Sequence, residues 1–242
     1  MSASTSGIFG LSHSNVSSRA AARPSRPPDE GRQFQMTAKR RSALSDQADL
    51  FAAEHGLPAG FDYREDVISS GEELAMVERF AALPFQPFEF HGYLAKGRVV
   101  SFGWRYDYAG ARLRDSDAIP PFLLPLRGRA AAFAGVPADS LQQILVTEYA
   151  PGAGIGWHRD KPMFEDIIAV SFLSPCVLRF RRKHAAGWER ASREIHARSA
   201  YLLRGPARRE WEHSVPPVDR LRYSVTFRNF VAGQKPDRSV HS

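Results

Sequence analysis

Two histidines and an aspartate carry the first chemical signal. His158 and Asp160 are separated by one residue in the segment 157–160 (WHRD). Side chains alternate in direction along an extended segment, so His158 and Asp160 can face the same ion. His213 lies about 55 residues further on, in a predicted strand. Two imidazoles and one carboxylate leave coordination positions open, which is the ligand set of non-haem Fe(II) sites. A His-x-Asp pair alone says little, because such pairs arise by chance on protein surfaces. His184 and His196 lie between these residues without a comparable supporting pattern.

A second constellation follows at 221–230 (LRYSVTFRNF). By alternation Arg222, Ser224, Thr226 and Arg228 share one face, while Tyr223, Val225 and Phe227 share the other. The apolar face must pack on a core. The polar face either meets solvent or lines the inside of a barrel. Inside a barrel the guanidinium groups need anionic partners, because an isolated buried charge is very costly. A small dicarboxylate would pair both arginines, since the planar guanidinium fork grips a carboxylate through two parallel hydrogen bonds. An Fe(II) site that activates O2 needs an electron-donating co-substrate, and 2-oxoglutarate is a dicarboxylate. One hypothesis thus joins both constellations.

The elements that position these residues follow from pattern. Beyond residue 140 the apolar period is two, and 144–149, 167–173, 177–181, 192–196, 200–203, 210–215 and 221–230 are predicted strands. Before them, Ser70 with two acids in the next turn predicts a helix over 71–82, stopped by Pro84. A second helix is expected from Pro120 and Pro121 to about Ala134, ending near Gly135. The fold class is therefore α+β and mainly β: a β-sandwich or jelly roll with N-terminal supporting helices packed outside.

Composition narrows the class further. With 242 residues and 43% hydrophobic content, the chain can build one sizeable core. No apolar run approaches the ~18 residues of a membrane helix, so no membrane partner is expected. The single cysteine, Cys176, excludes an internal disulfide and fits a reducing, cytoplasmic setting. It reads as a small core residue, because no metal-site spacing surrounds it. The net charge of +7 invites a nucleic-acid reading. However, residues 1–45 hold seven basic side chains against Asp29 and Glu30, which leaves a surplus of only +2 elsewhere. Segment 1–45 is rich in Ser, Ala, Arg and Pro and is expected to be disordered. It reads as a basic arm, a transit peptide, or an extended gene start with Met36 as the true first residue; the last is favoured. The expected organisation is this segment, a catalytic domain over 46–232 and a tail over 233–242.

The motifs together resemble the AlkB family of Fe(II)/2-oxoglutarate dioxygenases. The resemblance runs from Phe88 to Phe230 and is carried by 149–160 (YAPGAGIGWHRD), 205–213 (GPARREWEH) and 222–228 (RYSVTFR). It implies a double-stranded β-helix (jelly-roll) core and Fe(II) as cofactor on His158, Asp160 and His213, with 2-oxoglutarate and O2 as co-substrates. Arg222 would bind the distal carboxylate of 2-oxoglutarate, Arg228 would act near its keto-acid end, and Tyr149 would touch it. Thr147 stands where the family commonly has Asn, so a hydroxyl replaces an amide. Arg208 matches a recurrent family position without a role of its own. The family oxidises 2-oxoglutarate to succinate and CO2 while hydroxylating a C–H bond; on an N-methyl group the product releases formaldehyde. The partner implied is an alkylated, preferably single-stranded nucleic acid, and the chain is expected to act as a monomer. Pro162 departs from an acidic family position that helps read the damaged base, which keeps a protein or small-molecule substrate open. A jelly-roll binding protein without turnover is the third alternative; an intact triad with both arginines argues against it.

Segment 88–108 (FEFHGYLAKGRVVSFGWRYDY) is aromatic and basic. In the resembled family a comparable region forms a lid over the active site. Trp104, Tyr106 and Tyr108 share a face and are the candidate base-stacking residues. The alternative is an ordinary β-hairpin with aromatics at normal strand frequency. Trp157 and Trp211 flank the metal ligands but alternate away from them, which predicts core packing.

Overall fold

A computed structural model describes residues 56–90, 93–107, 112–185 and 187–233. Segment 1–45, the tail beyond 233 and Tyr108 lie outside the described residues. The chain runs β1 (Phe61–Arg64), α1 (Ser70–Ala81), β2 (Gln86–Phe90), β3 (Tyr93–Phe102), β4 (Trp104–Asp107), β5 (Arg112–Asp115), α2 (Leu124–Ala134), β6 (Gln143–Tyr149), β7 (Ile155–His158), β8 (Phe164–Phe172), β9 (Cys176–His184), β10 (Gly187–Ile195), β11 (Ala200–Leu203), α3 (Gly205–Arg209), β12 (Glu212–Val215) and β13 (Arg222–Phe230).

Seven strands form a major antiparallel sheet in the order β1-β11-β8-β13-β6-β3-β2, and four form a minor sheet, β10-β9-β12-β7. β4 and β5 pair as a separate ribbon. Two apolar clusters hold the layers together. One packs α1 and α2 on the outer face of the major sheet through Phe80, Leu126, Ile144, Phe172, Val225 and Phe227. The other, with Ile167, Leu178, Phe180, Tyr201, Leu203 and Trp211, fills the space between the two sheets. This is the jelly roll with supporting helices that the pattern predicts.

β13 decides which reading of the arginine face holds. Tyr223, Val225 and Phe227 belong to the helix-side core, whereas Arg222, Ser224 and Thr226 are buried on the opposite face. The polar face therefore lines the jelly-roll interior and does not meet solvent.

Helix α1 starts one residue earlier than the sequence pattern suggests. Ser69, not Ser70, is the N-cap: its hydroxyl accepts from Glu72 N while Glu72 Oε2 accepts from Ser69 N at 2.8 Å, a reciprocal capping box. Ser69→Ala is expected to destabilise the fold by about 1 kcal/mol. Urea denaturation should show a lower midpoint at unchanged slope. Helix α2 ends at Gly135, whose φ of 67° is the left-handed conformation that glycine adopts without penalty. The expected strand at 210–215 is shorter, because Gly205–Arg209 forms a helical turn with Pro206 at its start.

Candidate active site

The three proposed ligands come together on adjoining strands. His158 ends β7 and His213 lies in β12, where the two are direct antiparallel partners with ring centroids 4.3 Å apart. Asp160 follows two residues after His158, and its Oδ2 lies 3.5 Å from His213 Nε2. One ligand atom from each of the three lies within 4.8 Å of the others. Gly154 makes this pairing possible. A Cβ there would stand 2.7 Å from Val215 O and 2.8 Å from Pro217 N, so only glycine lets β7 enter beside the end of β12.

Each ligand is prepared for a cation. His158 Nδ1 lies 2.8 Å from Gly156 O, which fixes the Nδ1–H tautomer and leaves Nε2 as the ligating nitrogen. Burial, reinforced by the charge of His158, pushes the His213 imidazole down to about 3, so it is neutral near neutral pH and its lone pair is available. For Asp160, burial works against the charged form. The Arg228 guanidinium beside it outweighs that and holds the carboxyl well below the usual range. Two imidazoles and a fixed carboxylate fit a divalent first-row metal such as Fe(II).

The two arginines of β13 have different protein partners. Arg228 grips Asp160 Oδ1 through Nε at 2.9 Å and Nη2 at 2.7 Å, and its Nη1 donates to Gln143 Oε1 at 2.8 Å. Arg222, only 2% exposed, donates through Nη2 to Ser171 Oγ at 2.8 Å, while its Nε and Nη1 have no hydrogen-bond partner among the described residues. A buried guanidinium with two unmet donors is costly unless an anion completes it. That orphaned pair fits one carboxylate of 2-oxoglutarate. Tyr149 packs under Arg222, with the guanidinium carbon 4.9 Å from its ring centroid, and burial pushes its phenol pKa up, so it stays neutral. Thr147 is buried on the same strand as Tyr149, opposite Ser224 of β13.

A cavity of about 760 Å³ reaches His158, Asp160 and Arg228. Its wall includes Tyr106, Trp157 and Lys161, and the Lys161 ammonium sits 4.4 Å from the Tyr106 ring centroid. Trp104 is not in that wall. It is 2% exposed and packs edge-on against Phe230 at 6.0 Å, so it cannot stack on a base without unpacking the core. Trp211 is a core residue as expected, but Trp157 is half-buried and stacks with Arg179 and Arg181. Arg208, which the motif alone left without a role, is buried and donates to the carbonyls of Lys161 and Phe164, so it fixes the loop that follows Asp160.

Comparison with known proteins agrees with this geometry. A family model described as the 2OG-Fe(II) oxygenase superfamily matches residues 89–228. The chain is 30% identical over 163 residues to the alkylated DNA repair protein ALKBH8 homolog of Arabidopsis thaliana, covering 56% of this chain and 47% of that relative. It is 32% identical over 102 residues to the uncharacterized protein L905 of Acanthamoeba polyphaga mimivirus, covering 37% and 48% of the two chains. The chain thus spans about half the length of these curated relatives. The solved structure of OsALKBH1 matches at a TM-score of 0.55 and 14% identity over 72% of this chain and 100% of that one, a likeness of fold. The chain belongs to the 2OG-Fe(II) oxygenase superfamily. Fe(II), 2-oxoglutarate and O2 are the cofactor and co-substrates of that class. Among the described residues no helix is long and apolar enough to cross a membrane.

Proposed function

We propose that this chain oxidatively demethylates N-alkylated bases of nucleic acid, a repair-type reaction that releases formaldehyde, succinate and CO2. The observation that carries the proposal is the wall of the cavity: Tyr106 and Lys161 face each other where the cavity reaches His158 and Asp160. An aromatic plane beside a fixed cation suits an extruded base with its phosphate nearby. The relative from Arabidopsis, named an alkylated DNA repair protein, supports the same substrate class.

In this reading His158, Asp160 and His213 hold Fe(II). Bound there, the metal supplies O2 activation with 2-oxoglutarate as reductant: one oxygen atom enters succinate and the other the methyl C–H bond, and the resulting N-hydroxymethyl group leaves as formaldehyde. The side chains orient and exclude water. Arg222 accepts the distal carboxylate, with Ser171 and Tyr149 fixing its fork. Thr147, two residues before Tyr149 on β6, would add its hydroxyl to the co-substrate site. Arg228 is a positioning residue: its two bonds to Asp160 Oδ1 leave Oδ2 turned toward His213. Tyr106 stacks on the base.

A single-stranded oligonucleotide carrying one N-methylated base tests the proposal. With Fe(II), 2-oxoglutarate and ascorbate in air, the oligonucleotide should lose the mass of one methylene while formaldehyde appears. Succinate without that loss would move the substrate to a protein or small molecule. Tyr106→Ala should raise the KM for the oligonucleotide about tenfold, as expected for loss of one stacking contact. The KM for 2-oxoglutarate should not change. An unchanged oligonucleotide KM would remove Tyr106 from the base site.

A further inference from the structure

The outer face of the minor sheet carries a basic and aromatic array that the chemistry above does not use. On β9, Leu178 and Phe180 point into the core, so Arg179, Arg181 and Lys183 alternate to the other side. In register on β10, Trp188 stands opposite Lys183 and Arg190 opposite Arg181. On the far side, across β12, lies Trp157 of β7. The Arg181 guanidinium is 4.5 Å from the ring centroids of both Trp157 and Trp188, and Arg179 is 5.1 Å from Trp157. Arg181 is neutralised by Glu212 at 2.6 Å. Among the described residues, Arg179, Lys183 and Arg190 have no carboxylate partner, so the face keeps an unbalanced positive charge.

This array is continuous with the active site. Trp157 and Glu212 both line the cavity that reaches His158 and Asp160. From β7 to β10 the face extends ~15 Å, three inter-strand spacings. A strand whose target base enters the cavity must carry its neighbouring phosphates out over the rim, and the rim at Trp157 leads onto this face. An acidic protein would need only the charges. The aromatic planes set between the guanidiniums, with Trp188 still 43% exposed, add the stacking that unpaired bases use. Duplex bases are already stacked and offer no such surface.

We infer that the solvent face of β10-β9-β12-β7, through Arg179, Lys183, Arg190 and the Trp157-Arg181-Trp188 stack, is the track that binds single-stranded nucleic acid beside the target base. This rests on the nucleic-acid reading proposed above. The test uses the full chain and a fluorescent oligonucleotide with one N-methylated base, titrated across a series of salt concentrations. Lys183→Glu with Arg190→Glu should weaken binding at least tenfold at low salt. It should also flatten the plot of log K against log salt by about 1.4, the slope of two phosphate contacts on a single strand. Trp188→Ala should weaken binding about tenfold with the slope unchanged, and Trp188→Phe should restore most of it. All variants should unfold at the temperature of the parent, because these side chains are at the surface. If the parent binds and demethylates but the charge-reversed variant binds with the same affinity and slope, the track is refuted and the proposed function stands. If polyglutamate competes as well as the oligonucleotide at equal charge, the face is a general anion surface and the inference fails. A parent that neither binds nor demethylates overturns both.

Discussion

Replacing His158 by Ala is expected to abolish succinate formation, with a loss on the order of a thousandfold or more. Removing even an outer-shell partner of a metal ligand typically loses about 10- to 100-fold in affinity or activity, and a direct ligand contributes more. The stability of the metal-free protein should move much less, because His158 is only partly buried. Asp160→Ala should lose activity equally but behave differently when unfolded. It strips Arg228 of its carboxylate inside the site, and breaking one side of such a buried pair costs about 3–5 kcal/mol. Metal-free thermal unfolding should therefore separate the two variants, with the aspartate variant melting well below the histidine variant. Succinate production retained in His158→Ala would remove this residue from the metal site.

Arg222→Met carries the second large effect, with opposite signs on binding and stability. Truncating one partner of a buried charge pair typically costs about 2–5 kcal/mol, so the 2-oxoglutarate concentration giving half-maximal rate should rise on the order of 10²- to 10³-fold. The ligand-free protein should be as stable as the parent or more so. In the parent, Arg222 leaves Nε and Nη1 unsatisfied within the core, and replacing a buried ionic group by an apolar one of similar volume is often neutral or stabilising. Titration of 2-oxoglutarate against rate, with a thermal melt of the ligand-free chain, reads both. A variant that melts lower while its 2-oxoglutarate dependence is unchanged would make Arg222 a structural residue.

Much of this site was legible in the sequence because strand alternation is a strict period. It placed His158 with Asp160, and Arg222 with Ser224 and Thr226. The order of the motifs then identified the family. What alternation cannot give is the neighbour across the sheet. It aligned Arg222 and Arg228 on one face and invited a shared ligand, but Arg228 meets Asp160 from a loop 68 residues earlier in the chain. It put Trp104 and Tyr106 on the same face, yet position along that face sets burial: Trp104 at the start of β4 packs on Phe230, whereas Tyr106 reaches the cavity. It turned Trp157 away from the metal correctly, but core packing did not follow, because Arg179 and Arg181 stand there, two strands distant. The pattern predicts a strand only over 192–196, whereas β10 extends over Gly187–Ile195, since polar side chains occupy nearly all its positions and the apolar period is faint. Ser69 and Ser70 each have a glutamate three residues on, so pattern alone does not separate them; Glu73 is engaged by Leu173 N and Arg198, and Glu72 closes the box on Ser69.

The central claim, that His158, Asp160 and His213 form an Fe(II) site, is tested most directly by an anaerobic calorimetric titration of the metal-free chain with Fe(II). The parent should bind one equivalent, and 2-oxoglutarate should bind far more tightly after the metal than before it. The variant lacking all three side chains should bind neither with comparable affinity. One equivalent of Fe(II) bound as tightly by that variant would place the metal elsewhere and contradict the account.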